Sequence, residues 1–298
     1  MKILVTGGMG FIGKYLVKYL LKKGNQITVF DNFSNSEKSF ENEKITIVNG
    51  DITEFEEIDN AIKEQEVVIH LAAKISVDES IKNPSETFRV NVDGTKNVLR
   101  ACKKNNIHKL IVASSAAVYG EGTPKNKINE NTEKNPISPY GKSKVMMEQE
   151  IGKFLINYEN FDCVILRFFN IFGYGQSPEY AGVITKFVEQ ISMNNPIEIF
   201  GDGLQTRDFV SIYDVVEAIY CAISNVRSGT YNIASGNEIT INALAELMIS
   251  WSKKYIEIRH IAPRIGDIKN SSADITLAKE ELKFFPKFGL EKIKELMK

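Results

Sequence analysis

The chain has 298 residues, 43% of them hydrophobic and 25% charged, with a formal net charge of −1. That is an ordinary balance for a water-soluble globular chain with a sizeable core. Acidic and basic residues are mixed throughout, so nothing points to a nucleic acid or an acidic membrane surface as partner, and no apolar run approaches the roughly 18 residues of a membrane span.

The chain enters a strand at once, with "KILVT" at residues 2–6. We expect no signal peptide and a cytoplasmic protein. The three cysteines, Cys102, Cys163 and Cys221, are far apart and odd in number, which fits reduced, buried thiols. Helical spacing follows over Phe11–Lys23 (Phe11, Tyr15, Leu16, Tyr19, Leu20), and Gly24 closes it. Further apolar strands are expected in "QITVFD", "KITIVNGD", "EVVIHLAA" and "HKLIVASS", with a helical stretch over about 86–105. A long helix over about 140–158 leads to "CVILRFFN". Apolar strands alternating with helices predict an α/β fold, a doubly wound parallel sheet of Rossmann type. After Asn170 loops lengthen and strands shorten. We therefore expect a dinucleotide-binding domain over 1–169 and a smaller α/β substrate lobe over 170–298, with some segments returning to the first.

Between the first strand and first helix stands "TGGMGFIG". Gly7, Gly10 and Gly13 give G-x-x-G-x-x-G. A tight strand-to-helix turn and a close-approaching pyrophosphate both need residues without Cβ, and the helix N-terminus offers N–H groups and a positive dipole. The next strand ends in Asp31, whose carboxylate can accept both ribose hydroxyls; the bland reading of Asp31 is a turn cap. No Arg or Lys follows until Lys38, so NAD is favoured over NADP.

"SPYGKSK" places Tyr140 four residues before Lys144, on one helix face. A nearby ammonium favours a phenolate, giving a general base. With 11 tyrosines in a lysine-rich chain, one Y-x-x-x-K arises by chance. Tyr19 and Lys23 match as well, but on the apolar stripe of the first helix. Tyr140 differs because it follows the fifth strand, whose end, "SSAAVYG", offers Ser115 to the same substrate oxygen. Strand-end capping is the bland alternative for that serine.

"TGGMGFIG", "DNFSNS", "GDI", "HLAA", "NVDGT", "SSAAVYG", "YGKSK" and "RFFNIFG", in this order, resemble the extended short-chain dehydrogenase/reductases, and most closely the UDP-glucose 4-epimerase group of the NAD-dependent epimerase/dehydratase family. The resemblance spans essentially the whole chain. It implies that Phe11, Ile12, Asp31, Asn32, Asn35 and Ser36 hold the adenosine end of NAD. Asp51 and Ile52 would flank the adenine; Leu71, Ala72 and Ala73 would line the cofactor, with Asn91 in support. Phe169 would lie near the nicotinamide. Ser115, Tyr140 and Lys144 match the catalytic triad. Asn170, Arg207 and Arg264 would grip a UDP pyrophosphate, Asp267 would sit near the ribose, and the backbone around Ile199 and Phe200 would pass the uracil. Ser271 matches a position that gates the sugar's C2 substituent; a small residue there leaves room for an N-acetyl group. With only seven arginines in the chain, Arg207 and Arg264 stand out by lying in glycine-rich loops.

The implied reaction is redox-neutral C4 epimerisation of a UDP-hexose, UDP-glucose/UDP-galactose or their N-acetylated counterparts, through a 4-keto sugar. Related dehydratases and decarboxylases carry an acid where this chain has Ala116 and Ala117, and glucuronate epimerases resemble "YGPRQRP" where it has "FGYGQSP". Lys74 stands one place from the usual cofactor lysine, and Phe168 replaces a tyrosine. The competing readings are another NAD-dependent nucleotide-sugar reductase or dehydratase, and a non-catalytic dinucleotide-binding protein. The family pairs subunits through two long helices, so a homodimer is expected, using apolar residues of 95–101 and 145–154. No metal site is expected.

Overall fold

In the computed structural model, which describes residues 1–35, 42–122, 126–158, 160–176, 182–263 and 268–297, the alternating apolar runs form a seven-stranded sheet. β1 (Lys2–Thr6), β2 (Gln26–Asp31), β3 (Ile45–Asn49), β4 (Val67–His70), β5 (Lys109–Ser115) and β6 (Asp162–Phe168) take the order 6-5-4-1-2-3, and every pair is parallel. The strand order reverses beside β1, which opens a crevice at the carboxyl ends of β1 and β4.

Both faces of the sheet are covered, which is why its strands read as unbroken apolar runs. On one face α1 (Phe11–Lys22) packs with α8 (Ile212–Ser224) over Ile3, Val5, Ile27, Val29 and Ile69. On the other, α2 (Phe55–Ile62), α5 (Gly94–Lys104) and α6 (Pro139–Ile156) cover Leu4, Val68, Leu110 and Val112. The stretch expected as one helix over 86–105 has three parts: α4 (Pro84–Phe88), which follows α3 (Val77–Lys82), then a π-helical turn, Arg89–Asp93, and then α5. Such wide turns recur at functional positions, and Asn91 lies within this one.

The rest of the chain builds a second lobe from short pieces. β7 (Asn170–Phe172), β9 (Thr206–Ser211) and β11 (Glu238–Thr240) make a three-stranded sheet; β8 (Ile197–Phe200) pairs in parallel with β12 (Ile258–Ile261). α7 (Val183–Ser192) and α9 (Ile241–Ser252) close its core around Phe187, Ile197, Ile199, Leu244 and Met248. Between these pieces β10 (Gly229–Ile233) returns to the main sheet as the neighbour of β6.

The helical stretches expected to pair two subunits mostly serve the chain's own core. Thr95, Val98, Leu99, Ala101, Met147 and Ile151 are all buried within the monomer, while Met146 is exposed. Among the described residues no helix is long and apolar enough to cross a membrane. Cys102 and Cys163 are buried free thiols; burial pushes the Cys102 thiol up and the Cys163 thiol to about 12. They act as small apolar core residues.

Candidate active site

A cleft of about 940 Å³ runs along the carboxyl ends of the main sheet and continues beneath the second lobe. Gly7, Gly10, Phe11, Ile12 and Gly13 line one end. Gly7 adopts φ +67, and a Cβ there would meet the Ala72 amide nitrogen at 2.7 Å. A Cβ on Gly13 would stand 2.4 Å from the Gly7 carbonyl oxygen, so its glycine lets α1 sit on β1. Gly10 is different: the nearest protein atom to its Cβ would be 3.2 Å away. Its bareness serves the open side, where a ligand would lie. Gly10 also brings no capping side chain to α1, and no acid stands in the first turn. The helix N-terminus therefore keeps its N–H groups and positive dipole for an anion.

Asp31 ends β2 beside this turn. Its Oδ2 accepts the Met9 amide and its Oδ1 the Phe33 amide, both at 2.9 Å. The turn-capping and ribose-binding readings are thus compatible, since each oxygen has lone-pair capacity left. Asn32 and Asn35 line the same end, and Asn32 donates to Asp51 at 3.1 Å. Burial raises the Asp51 carboxyl, but hydrogen bonds from Thr53 outweigh it and hold the group below its ordinary value. Ile52, Leu71, Ala72 and Ala73 complete the wall. Asn91 is buried behind it. Its Oδ1 accepts the Lys74 amide at 2.8 Å and its Nδ2 donates to the Lys74 carbonyl at 2.9 Å. The same Nδ2 donates to Ser143 Oγ, which donates to the Tyr140 carbonyl. Ser36 and Lys38 lie outside the described residues. A cradle that Cβ atoms would fill, an open helix N-terminus and an acid at the end of β2 together fit a dinucleotide.

Tyr140, Lys144 and Ser115 meet in the middle of the cleft. Ser138 caps α6 by accepting the Gly141 amide, and Pro139 occupies its first turn. That start places Tyr140 against the end of β5, where Ser115 hydrogen-bonds its side chain. Ser115 Oγ also accepts the Ala117 amide, so its capping role is real as well. The electrostatics differ from expectation. Burial raises the Tyr140 hydroxyl above its ordinary value and the Ser115 bond lowers it in part; Lys144 is not among the groups that move it. Lys144 Nζ donates to the Ala113 carbonyl at 2.9 Å. Burial brings Lys144 itself down to about 8, with Glu148 pulling the other way. The second Y-x-x-x-K pair lies elsewhere, Tyr19 donating to Glu217 and packing on Tyr220.

Beyond the triad, Phe169 and Asn170 lead into the second lobe. β7 pairs with β9, which sets Asn170 beside Phe209 and lets its Nδ2 donate to the Asp208 carbonyl at 3.1 Å. Arg207, on the same strand, lines the cleft and donates from Nη1 to the Thr206 carbonyl. Ile199 and Phe200 line it too, but unequally. The amides of Ile197 and Gly201 are spent on β12, so by alternation the main chain of Ile199 also faces β12. Glu198 and Phe200 present theirs on the strand's other edge. Ser271 is buried and is not among the cleft-lining residues; Arg264 and Asp267 lie outside the described residues. Gln176, Lys186 and Gln190 line the cleft without having been foreseen. They fall in a helix and a loop whose residue types carry no motif. His70, also unforeseen, ends β4 between Thr6 Oγ1 (2.7 Å) and Thr95 Oγ1 (3.0 Å).

A dinucleotide cradle joined to a Ser/Tyr/Lys centre defines an NAD-dependent enzyme of the short-chain dehydrogenase/reductase type. Residues 3–234 match the model of the NAD dependent epimerase/dehydratase family, and the chain belongs to that family. A protein of Methanocaldococcus jannaschii provisionally named UDP-glucose 4-epimerase is 38% identical over 97% of this chain and 94% of its own length. The crystal structure of Thermotoga maritima UDP-glucose 4-epimerase with UDP-glucose superposes with a TM-score of 0.94 at 33% identity, covering 100% of this chain and 97% of that one. A UDP-N-acetylglucosamine 4-epimerase from Methanobrevibacter ruminantium, in complex with UDP-N-acetylmuramic acid, gives 0.92 at 35% identity, covering 99% and 96%.

Proposed function

We propose that the chain interconverts UDP-hexoses at C4, acting on UDP-glucose/UDP-galactose, with N-acetylated UDP-hexoses as a further substrate pair. One observation carries this reading: the Ser115–Tyr140–Lys144 centre opens into the same cleft as Asn170, Arg207 and Phe200 of β8. A nucleotide anchored at the second lobe therefore presents its sugar to the tyrosine.

Bound NAD supplies the acceptor and then the donor of the two electrons exchanged at C4. Tyr140 Oη takes the proton of the 4-hydroxyl and later returns it. Ser115 Oγ orients that oxygen through its bond to Tyr140. Lys144 holds a positive charge behind the phenol and is fixed by the Ala113 carbonyl. Arg207 and Asn170 hold the pyrophosphate, so the sugar turns over while the nucleotide stays. Ala116 and Ala117 carry no acid for chemistry at C5 and C6, which favours epimerisation over dehydration.

In this reading Ser271 influences the C2 preference only indirectly, from its buried position outside the cleft lining, and Arg264 and Asp267 add to the nucleotide grip. A homodimer through α4–α5 and α6 is part of the proposal, with exposed Met146 on the paired face. The unpaired thiols of Cys102, Cys163 and Cys221 support a reducing, cytoplasmic setting.

The test is to incubate the protein and NAD with UDP-galactose and, separately, UDP-GalNAc, following the anomeric signals by NMR. Mixtures of C4 epimers without net NADH are expected from both. Net NADH release or loss of water from the sugar would replace the epimerase reading with a reductase or dehydratase.

A further inference from the structure

Tyr140, Lys144 and Glu148 stand at i, i+4 and i+8 on α6, so one helix face carries all three. Glu148 is buried, and four side-chain donors converge on its carboxylate. Arg167 donates from Nε at 2.9 Å and from Nη2 at 2.8 Å, Ser114 Oγ at 2.7 Å and Lys134 Nζ at 2.6 Å. Arg167 lies in the interior of β6 and is only 3% exposed; Lys134, on the loop before α6, is about one-third exposed. Arg167 Nη1 also donates to the Tyr119 hydroxyl and to the Glu130 carbonyl.

This cluster grips the end of β5 from behind. Glu148 holds Ser114, Lys144 holds the Ala113 carbonyl, and Ser115 is left facing Tyr140. We propose that Glu148 is a positioning residue for the active centre: it fixes the strand end that carries Ser115, and it sets a carboxylate one helical turn from Lys144. This rests on the epimerase reading only for its kinetic consequences. The geometry behind it is that Glu148 is one helical turn from Lys144 and locked in place by β5, β6 and the loop at once.

The groups around Lys144 are few. Glu148 is the carboxylate that favours its charge; Tyr140 stands on the same helix, and His70 of β4 lies within its field and is neutral through burial. Arg167 and Lys134 reach it through Glu148, while Tyr119 and Glu130 lie on the far side of Arg167. Among them Lys134 alone reaches solvent to a substantial degree, which makes it the place where the cluster meets bulk ions.

The experiment follows Lys144 directly. The NAD-loaded protein is labelled with 13Cε-lysine, and the Lys144 resonance is identified by its loss in Lys144→Arg. Its titration midpoint is expected to fall in Glu148→Gln, to stay near the wild-type value in Glu148→Asp, and to rise in Lys134→Met, each shift being about one pH unit or less. In the epimerase assay, Glu148→Gln should move the pH at which the rate levels off down by the same amount and lower kcat about tenfold, with KM for UDP-galactose unchanged. An unmoved Lys144 titration in both Glu148→Gln and Lys134→Met overturns the proposal, as does an equal fall in Glu148→Asp. Lys134→Met touches only the partly exposed cation, so it remains informative if the Glu148 variants fail to fold. The titration needs no sugar, so it stands apart from any failure of the epimerase reading.

Discussion

Asp31 Oδ2 accepts the amide of Met9 at 2.9 Å, tying the end of β2 to the glycine turn after β1. The carboxylate proposed to meet the adenosine ribose thus also shapes the turn proposed to meet the pyrophosphate. Asp31→Ala should raise the Kd for NADH about 10- to 100-fold, the loss of one or two good hydrogen bonds to a charged group. It should also narrow the preference over NADPH, because a 2′-phosphate would no longer meet a carboxylate. Fluorescence titration with both cofactors decides; equal losses for the two would remove Asp31 as the discriminating group.

Gly13 and Gly10 should separate stability from cofactor binding. A Cβ on Gly13 would drive into Gly7 and Gly8 backbone atoms at 2.4–2.6 Å, so Gly13→Ala should cost about 1–3 kcal/mol in urea unfolding. Gly10→Ala meets only one protein atom, at 3.2 Å, and should leave stability within about 0.5 kcal/mol while weakening NADH binding. The opposite ranking would mean that the turn, rather than the ligand, needs Gly10.

The rate should stop rising with pH near 8, where Lys144 begins to lose its proton as fast as Tyr140 gives up its own. It should fall on the acid side as Tyr140, raised by burial, is held protonated. Lys144→Arg keeps the charge at any working pH, so its rate should go on rising past pH 8 even as kcat drops. Tyr140→Phe should lose 10²- to 10⁴-fold in kcat, the usual worth of a general base, with NAD binding intact. Stopped assays from pH 6 to 10 test both, and a levelling near pH 8 that survives in Lys144→Arg would assign it to another group.

His70 makes a stability prediction. Burial between Thr6 and Thr95 lowers its imidazole to about 3, with the Lys144 charge adding to the effect. Below pH 6.5 the unfolded chain binds this proton and the folded one does not. Stability is therefore full above 6.5 and is lost as pH falls toward 3, by up to about 1.4 kcal/mol per unit. His70→Gln removes the titration and should flatten the slope of ΔG against pH between 6 and 4, relative to wild type. An unchanged slope would place the acid sensitivity in the carboxylates instead.

The first lobe was legible because its signals are local. "QITVFD" is β2 to the residue, and "HKLIVASS" and the glycine turn differ from the structure by at most a residue at their ends. The site's motif residues were legible for the same reason. The second lobe was not, because β7, β9 and β11 are three to six residues long and come from distant parts of the chain. No periodicity accumulates over such lengths. The support behind the triad was hidden differently. An arginine inside the apolar run "VILRFF" is the one sequence sign that a buried carboxylate awaits it, and Glu148 lies four residues past Lys144 on the same helix face. The wide turn at Arg89–Asp93 interrupts a helical pattern without glycine or proline, so side-chain spacing could not reveal it.

The return of β10 to the edge of the main sheet has a practical consequence for anyone wishing to graft specificity between relatives. The chain leaves the sheet at Phe168 and comes back at Gly229 before leaving again. A cut at residue 169 would strip β6 of its neighbour and expose an apolar strand edge, the usual seed of aggregation. The second lobe is therefore not a detachable cassette. Its loops can be exchanged one by one, but a transplant has to carry both departures and the strand between them.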